Sequence, residues 1–484
     1  MKKQYIFRLA IGIVFFALLS WAINCAVNPV TGKREFMLLT QSDEVTLGKQ
    51  TDAQVVEIYG LYDQAQLQDY LNNLGQSMAK LSHRPNLQWQ FKLLDSPVIN
   101  AFAVPGGFIY LTRGILAYLN NEAELAGVIG HEIGHVTARH SAKTYSKAML
   151  AQLGIEVGGL LSDTFREYAG IAQFGVGMLF LKFSRDDERQ ADALGVEYSA
   201  KAGYDADYMA NFFNTLERLY PESAQSGLPA WFSTHPNPPD RIKAIQSDAQ
   251  QWKNKLPQKK LAVNQDQYLS KLDGIIFGED PRQGYVENNV FYHPQMKFLF
   301  PVPAKWKLNN TPSQVQMFTE EQDAVVLFSL AKASSPTAAA EDFISNSGAA
   351  VKNRQSLRVN GLQAYSVTSD ITSEGTTIPV ISYFIQLDNQ VFTFHGYSSP
   401  EKFSGYLPAL TTAMKGFKRL TDRSKINVKP SRLIIRKTSR SQTVRAALNE
   451  FGVAPDKLED IAILNGRQLD DTVAANTMFK LVEK

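Results

Sequence analysis

Apolar residues recur at helical spacing over 41–58 and 64–81, which predicts two amphipathic helices near the start of the chain. Leu87, Trp89, Phe91 and Leu93 then alternate with polar neighbours, the period of a half-buried strand. Val104-Pro-Gly-Gly107 marks a turn, and 108–111 reads as a second strand. A further helix is signalled by Asn121 as cap, Glu124 at the third position, and an apolar stripe of Leu125, Val128, Ile129 and Val136. Ser184 and Asp187 form a capping box that opens another. Between these two helices, 149–183 is conspicuously apolar. Glu156, Asp163, Arg166 and Glu167 interrupt it before any window reaches membrane-spanning length. Amphipathic helices packed on the core are expected there, with a membrane-facing or substrate-covering flap as the other reading.

Beyond about Lys260 the texture changes. Alternating β-type segments at 297–300, 324–329, 363–369, 378–386 and 390–397 accompany one helical stretch at 338–345. A basic run over 418–437 leads to a last small unit. The expected class is therefore α+β. A mostly helical domain with a small sheet spans 26–256, and a linker 257–283. A β-rich α+β domain follows over 284–420, then a small module over 421–484.

Length and charge narrow the function classes. A chain of 484 residues is too long for one compact core. Its net charge of +3 and the lack of a basic block with interleaved aromatics argue against nucleic acid as a partner. Residues 1–25 read as an export signal or anchor: Lys2, Lys3 and Arg8 precede an uncharged apolar run over 9–23. Cys25, the lone cysteine, sits where a lipoprotein signal would place its lipidated residue, although Asn24 fits that signal poorly. Ordinary secretion after Ala22 and an uncleaved anchor stay open. Either route places the chain in a bacterial cell envelope on the periplasmic side, without an intramolecular disulfide.

The candidate chemistry lies at His131-Glu-Ile-Gly-His135. Residues four apart share a helix face, so both imidazoles reach one metal ion, and Glu132 is placed to deprotonate a water. Alone, the pentapeptide leaves a surface helix that happens to carry two histidines as the lesser alternative. A catalytic zinc takes three protein ligands and keeps one position open. Glu188, on the helix opened by Ser184, supplies the third, and Asp192 one turn on accepts the free ring N–H of a ligand histidine. In isolation that acidic pair would read as a solvated face. No nucleophile elbow is visible, and Cys25 lies in the export segment.

Four blocks together resemble the zinc metallopeptidase family of HtpX and the CaaX prenyl endopeptidases, in particular its exported bacterial members. They are Asn28-Pro-Val-Thr-Gly-Lys-Arg-Glu35, Asn100-Ala-Phe-Ala-Val-Pro-Gly-Gly-Phe-Ile-Tyr110, His131-Glu-Ile-Gly-His135 and Ser184-Arg-Asp-Asp-Glu-Arg-Gln-Ala-Asp192. The resemblance implies a zincin-like fold and one Zn2+ held by His131, His135 and Glu188. It gives Glu132 the role of general base and acid, and Asp192 that of orienting partner. It implies that the strand after Gly107, starting at Phe108, is the edge to which an extended substrate adds. Asn100 would hold the substrate backbone, or serve as a plain turn residue.

In the exported relatives a His-Pro loop at the position of His235 approaches the zinc. His235 would then be a latch on the open site, a stabiliser of the tetrahedral oxyanion, or a loop residue without metal contact. Arg241 would pair with Glu188 or Asp192. His140 is expected to be structural or exposed, and His83, His293 and His395 are given no role. The tail faintly resembles a LysM module, which implies peptidoglycan as a partner, although the usual opening Gly-Asp is replaced by Arg440-Ser441-Gln442. The leading function is a cell-envelope zinc endopeptidase acting on misfolded or unassembled envelope polypeptides. The alternative is a chaperone-like or wall-binding scaffold whose zinc site is plugged.

Overall fold

The computed structural model describes residues 25–152, 182–220, 231, 235, 240–257, 260–373 and 376–484. The leader over 1–24 and most of the apolar 149–183 stretch lie outside these residues. Among the described residues, no helix is long and apolar enough to cross a membrane. The chain divides into two compact units, one of 1–56, 60–278 and 432–483 and one of 57–59, 279–431 and 484.

The first unit opens with a short antiparallel pair, β1 (Cys25–Val27) and β2 (Arg34–Phe36). Helices α1 (Gln41–Tyr59) and α2 (Ala65–Ala79) follow within a residue or two of their expected ends. The capping box of Thr40 and Asp43 starts the first. Then come β3 (Gln90–Leu94), β4 (Ala101–Val104), β5 (Phe108–Thr112) and the short α3 (Arg113–Tyr118). These strands form one sheet in the order β3-β5-β4, with β5 parallel to β3 and antiparallel to β4.

That order corrects the expected substrate edge. β5 is the middle strand, and both of its backbone edges are taken. Phe108 is buried at one end of it. Gly107 belongs to the turn that enters β5, where Gly106 and Gly107 take φ of +86° and +100°, a region open to glycine. The outer edge of β3 is closed by the Gln68 carboxamide, which donates to Phe91 O (2.7 Å) and accepts from Leu93 N (2.9 Å). The edge left for an added strand is β4, which the alternation pattern had not signalled.

Helix α4 (Glu122–Thr137) is buried along its whole length, with Asn121 Oδ1 accepting from Glu124 N at 2.8 Å as cap. α5 (His140–Gln152) follows after only two residues. α6 (Arg185–Ala202) starts at the expected Ser184–Asp187 capping box and stops at Gly203 in the left-handed region. α7 (Tyr208–Leu219) and α8 (Arg241–Lys255) complete the helical layer. The expected linker 257–283 is structured instead: it carries α9 (Gln265–Leu272), whose Tyr268, Leu269 and Leu272 are buried, with Tyr268 OH donating to Leu116 O at 2.7 Å.

The tail strands Arg432–Lys437 and Met478–Glu483 pair antiparallel, with helices Val444–Glu450 and Leu458–Leu464 between them. A segment this short closes no sizeable core by itself. Leu433, Val444, Leu448, Phe479 and Leu481 share one continuous apolar core with α2, β3, β5 and α4. Lys480 is fully buried, and its Nζ donates to Ala117 O (2.7 Å) and Leu119 O (2.8 Å) at the end of α3. Burial pushes its ammonium pKa down and pushes the Glu124 carboxyl up, while each charge steadies the other. Lys480→Met is expected to leave two carbonyls and the Glu124 charge without that cation. It should cost about 2 kcal/mol, read as a lower denaturant midpoint at unchanged slope.

The second unit is β-rich. Seven antiparallel strands among the described residues run in the order 350–359, 362–373, 376–387, 390–398, 324–331, 314–318 and 307–310. Helices Pro336–Ser347 and Pro400–Gly416 cover them. Phe298, Phe300, Phe328, Phe392, Phe394 and Phe417 fill its core. His395 stacks on Phe343 and faces Ser382 Oγ at 2.8 Å, a packed setting within that unit.

Candidate metal centre

Three helices of the first unit and one loop residue converge on a fully enclosed point. α4 brings His131, Glu132 and His135, α6 brings Glu188 and Asp192, α8 brings Arg241, and His235 precedes α8 in the chain. All seven side chains are buried.

His131, His135, Glu188 and His235 each offer one donor atom, and the four atoms lie within 4.8 Å of one another. His131 Nε2 is 3.0 Å from His135 Nε2 and 3.3 Å from His235 Nδ1. Glu188 Oε1 is 3.0 Å from His235 Nδ1 and 3.4 Å from His135 Nε2, and its Oε2 is 3.7 Å from His131 Nε2. A tetrahedral ion with bonds of about 2.0–2.1 Å holds its ligand atoms about 3.3–3.4 Å apart, so these spacings and this imidazole–carboxylate set suit zinc. His235 Nδ1 is the fourth donor atom of this group.

The groups behind the donors fix their orientation. Asp192 Oδ1 lies 2.9 Å from His131 Nδ1. Arg241 reaches both carboxylates between which the sequence left a choice, at 2.8 Å to Asp192 and 3.2 Å to Glu188. Its guanidinium also lies 4.1 Å from the Phe213 ring centre. Burial raises the Glu188 carboxyl pKa, but His235 and Arg241 beside it win and hold it well below the usual range. Burial likewise opposes ionisation of Asp192, and Arg241 and His131 overcome it. Burial lowers the pKa of His131 and His135, keeping both imidazoles in the neutral form a metal requires.

Glu132 belongs to the same buried group. Among the described residues neither of its carboxylate oxygens has a hydrogen-bond partner, and His235 Nε2 lies 3.8 Å from Oε1. Burial pushes its pKa up. Asn100 ends the loop before β4 and is half-buried; its side-chain oxygen is likewise buried without a partner among the described residues.

Two residues were missed by sequence reasoning. Trp231, fully buried, stacks on His235 at 4.5 Å between ring centres and 25° between planes, and its carbonyl accepts from His235 N at 2.8 Å. His140, expected to be structural or exposed, is buried with Nδ1 3.0 Å from His135 Nδ1. An aromatic four residues before the His-Pro pair was the available signal for the first. Cys25, the lipidation candidate, is paired in β1 opposite Phe36.

Residues 65–249 match the family model for Peptidase family M48. The chain is 33% identical over 213 residues to the putative beta-barrel assembly-enhancing protease of Vibrio cholerae, covering 42% of this chain and 43% of that protein. It is 28% identical over 262 residues to the beta-barrel assembly-enhancing protease of Escherichia coli K12, covering 52% of each. It is 32% identical over 167 residues to mitochondrial metalloendopeptidase OMA1 of Arabidopsis thaliana, covering 34% of this chain and 33% of that protein. The chain thus spans about half the length, or less, of these curated relatives.

Proposed function

We propose that the chain is a cell-envelope zinc metalloendopeptidase whose catalytic part is the segment, residues 65–249, that matches the Peptidase family M48 model. The observation that carries this is the buried His131–His135–Glu188 set with an unpartnered Glu132 carboxylate beside it. Zinc held by those three residues supplies Lewis acidity toward a carbonyl oxygen and toward water. Glu132 takes the water proton on a carboxylate oxygen and returns it to the leaving amine. Asp192, held by Arg241, keeps His131 in the tautomer that presents Nε2 to the metal. The substrate backbone adds to the β4 edge, and Asn100 at the start of that strand receives it through its free side-chain oxygen. Misfolded or unassembled envelope polypeptides are the proposed substrates, in keeping with the names of the bacterial relatives. Lipidation of Cys25 would tether the enzyme to a membrane, which mass spectrometry of the mature amino terminus tests.

His235 acts as a latch in this reading. Its Nδ1 lies among the ligand atoms, and Trp231 holds the ring there. If the latched state holds nine-tenths or more of the molecules, His235→Ala raises casein cleavage by about ten-fold or more with zinc retained. A variant that is inactive but zinc-loaded would replace the latch by an oxyanion role. The same contact favours the second reading, a plugged scaffold. Zinc in both proteins with cleavage by neither would select it.

A further inference from the structure

We infer that His140, backed by Gln190, is a positioning residue that fixes the ring of His135. This rests on the zinc reading of the site. His135 turns Nε2 toward the donor cluster, 3.0 Å from His131 Nε2 and 3.4 Å from Glu188 Oε1. Its other nitrogen, Nδ1, points away from the cluster and faces His140 Nδ1 at 3.0 Å. Two ring nitrogens at that distance share one proton, so one donates and the other accepts. A ring that offers its Nε2 lone pair to a metal carries its proton on Nδ1, which makes His135 the donor and His140 Nδ1 the acceptor. The proton of His140 then belongs on Nε2, and there Gln190 Oε1 accepts it at 2.9 Å. With the Gln190 amide as placed, every atom in this relay has a partner of the right kind, and the opposite assignment would require that amide to turn over.

The two histidine ligands are therefore held by different means. His131 leans on a carboxylate, Asp192, whereas His135 leans on a neutral imidazole. α6 organises both, since Glu188, Gln190 and Asp192 all lie on it. His140 is brought under His135 by the two-residue link from α4 to α5, where Arg139 takes a left-handed φ of +60°. Glu44 holds Arg139 at Nε, and Leu39 O accepts from its Nη2 at 2.7 Å, which pins that turn. Among the described residues, the other groups around His140 are Asp187, 3.6 Å from Nε2 and already engaged by Ser184 and Lys143, and the Phe183 ring.

Zinc affinity by chelator competition separates an orienting role from simple packing. His140→Phe keeps a ring and removes the acceptor, and should bind zinc 10- to 100-fold more weakly, roughly the range for lost outer partners of metal ligands. His140→Asn places an amide oxygen near the lost Nδ1 and should recover affinity to within about three-fold of wild type. Gln190→Leu, on a half-buried helix flank, should fall between them. In the metal-free full chain, 15N spectra of His135 should show the Nδ1–H tautomer in wild type and a mixture in His140→Phe. Wild-type affinity in His140→Phe, or equal weakness in the Phe and Asn variants, would overturn the inference. If His140→Phe does not fold, unchanged affinity in Gln190→Leu does the same. Failure of wild type itself to bind zinc would sink the zinc reading instead, and the tautomer spectra would still decide this one.

Discussion

Glu132→Gln should reduce peptide-bond hydrolysis by about 10²–10⁴-fold, the usual worth of a positioned general base, with zinc content unchanged. The substitution is close to isosteric and removes only the ability to take and return a proton. Nothing in the surroundings compensates, because the carboxylate oxygens have no hydrogen-bond partner among the described residues and the other carboxylates, Glu188 and Asp192, are bound to histidines and Arg241. Stability should move the other way. Burial raises the Glu132 pKa above its unfolded value, so ionising this group in the folded, metal-free protein costs free energy at every pH above its unfolded pKa. A neutral glutamine removes that cost. The metal-free variant should therefore melt no lower than metal-free wild type near neutral pH, as expected where a site is kept for chemistry at the expense of stability. Casein cleavage by a zinc-loaded Glu132→Gln protein at the wild-type rate would show that some other group moves the proton.

The parts of this site legible in the sequence are those set by the period of a single helix. His131 and His135, four apart, and Glu188 and Asp192, four apart, need only a helix to share a face, and Asn121 and Ser184 announce the two helices by their caps. What escaped depends on turns and on neighbours distant in sequence. His140 lies nine residues after His131 and would leave the ligand face of a continuous helix, but the left-handed Arg139 breaks that helix and folds it back. Arg241 offered two partners on paper because both carboxylates lie within one helical turn, and its guanidinium spans the pair.

The same division holds for the fold. Inner strands such as Gln390–Ser398, buried on both faces through residues 391–394, carry the β-branched and aromatic run that marks them. Ala350–Val359 is exposed along nearly all its length at the sheet edge, and its charged sequence carries no period to read. β4 is four residues long, three of them buried, which is too short for alternation to register. α9 has only two turns, and its place in the core is set by where Tyr268 and Leu272 land.

Gly130→Val should cost about 3 kcal/mol or more and release the zinc. α4 and α6 cross at their glycines. A Cβ on Gly130 would stand 2.8 Å from Gly195 O and 3.0 Å from Gly195 Cα, and one on Gly195 would stand 3.0 Å from His131 N. These are backbone atoms, so no side chain can swing aside, and relief requires the helices to part. Propensity opposes the prediction for the smaller probe, since alanine favours a helix by about 1 kcal/mol over glycine. Gly130→Ala should still lose stability, which would show that crowding outweighs helix propensity at this crossing. The site amplifies the shift. Glu188 meets His135 and His131 only because the crossing is this close, and metal bonds tolerate about 0.2 Å. Parting the helices by several tenths of an ångström would withdraw the third ligand while leaving both histidines in register on α4. Zinc retention together with an unchanged melting temperature in Gly130→Val would show that the close crossing does not set the ligand geometry.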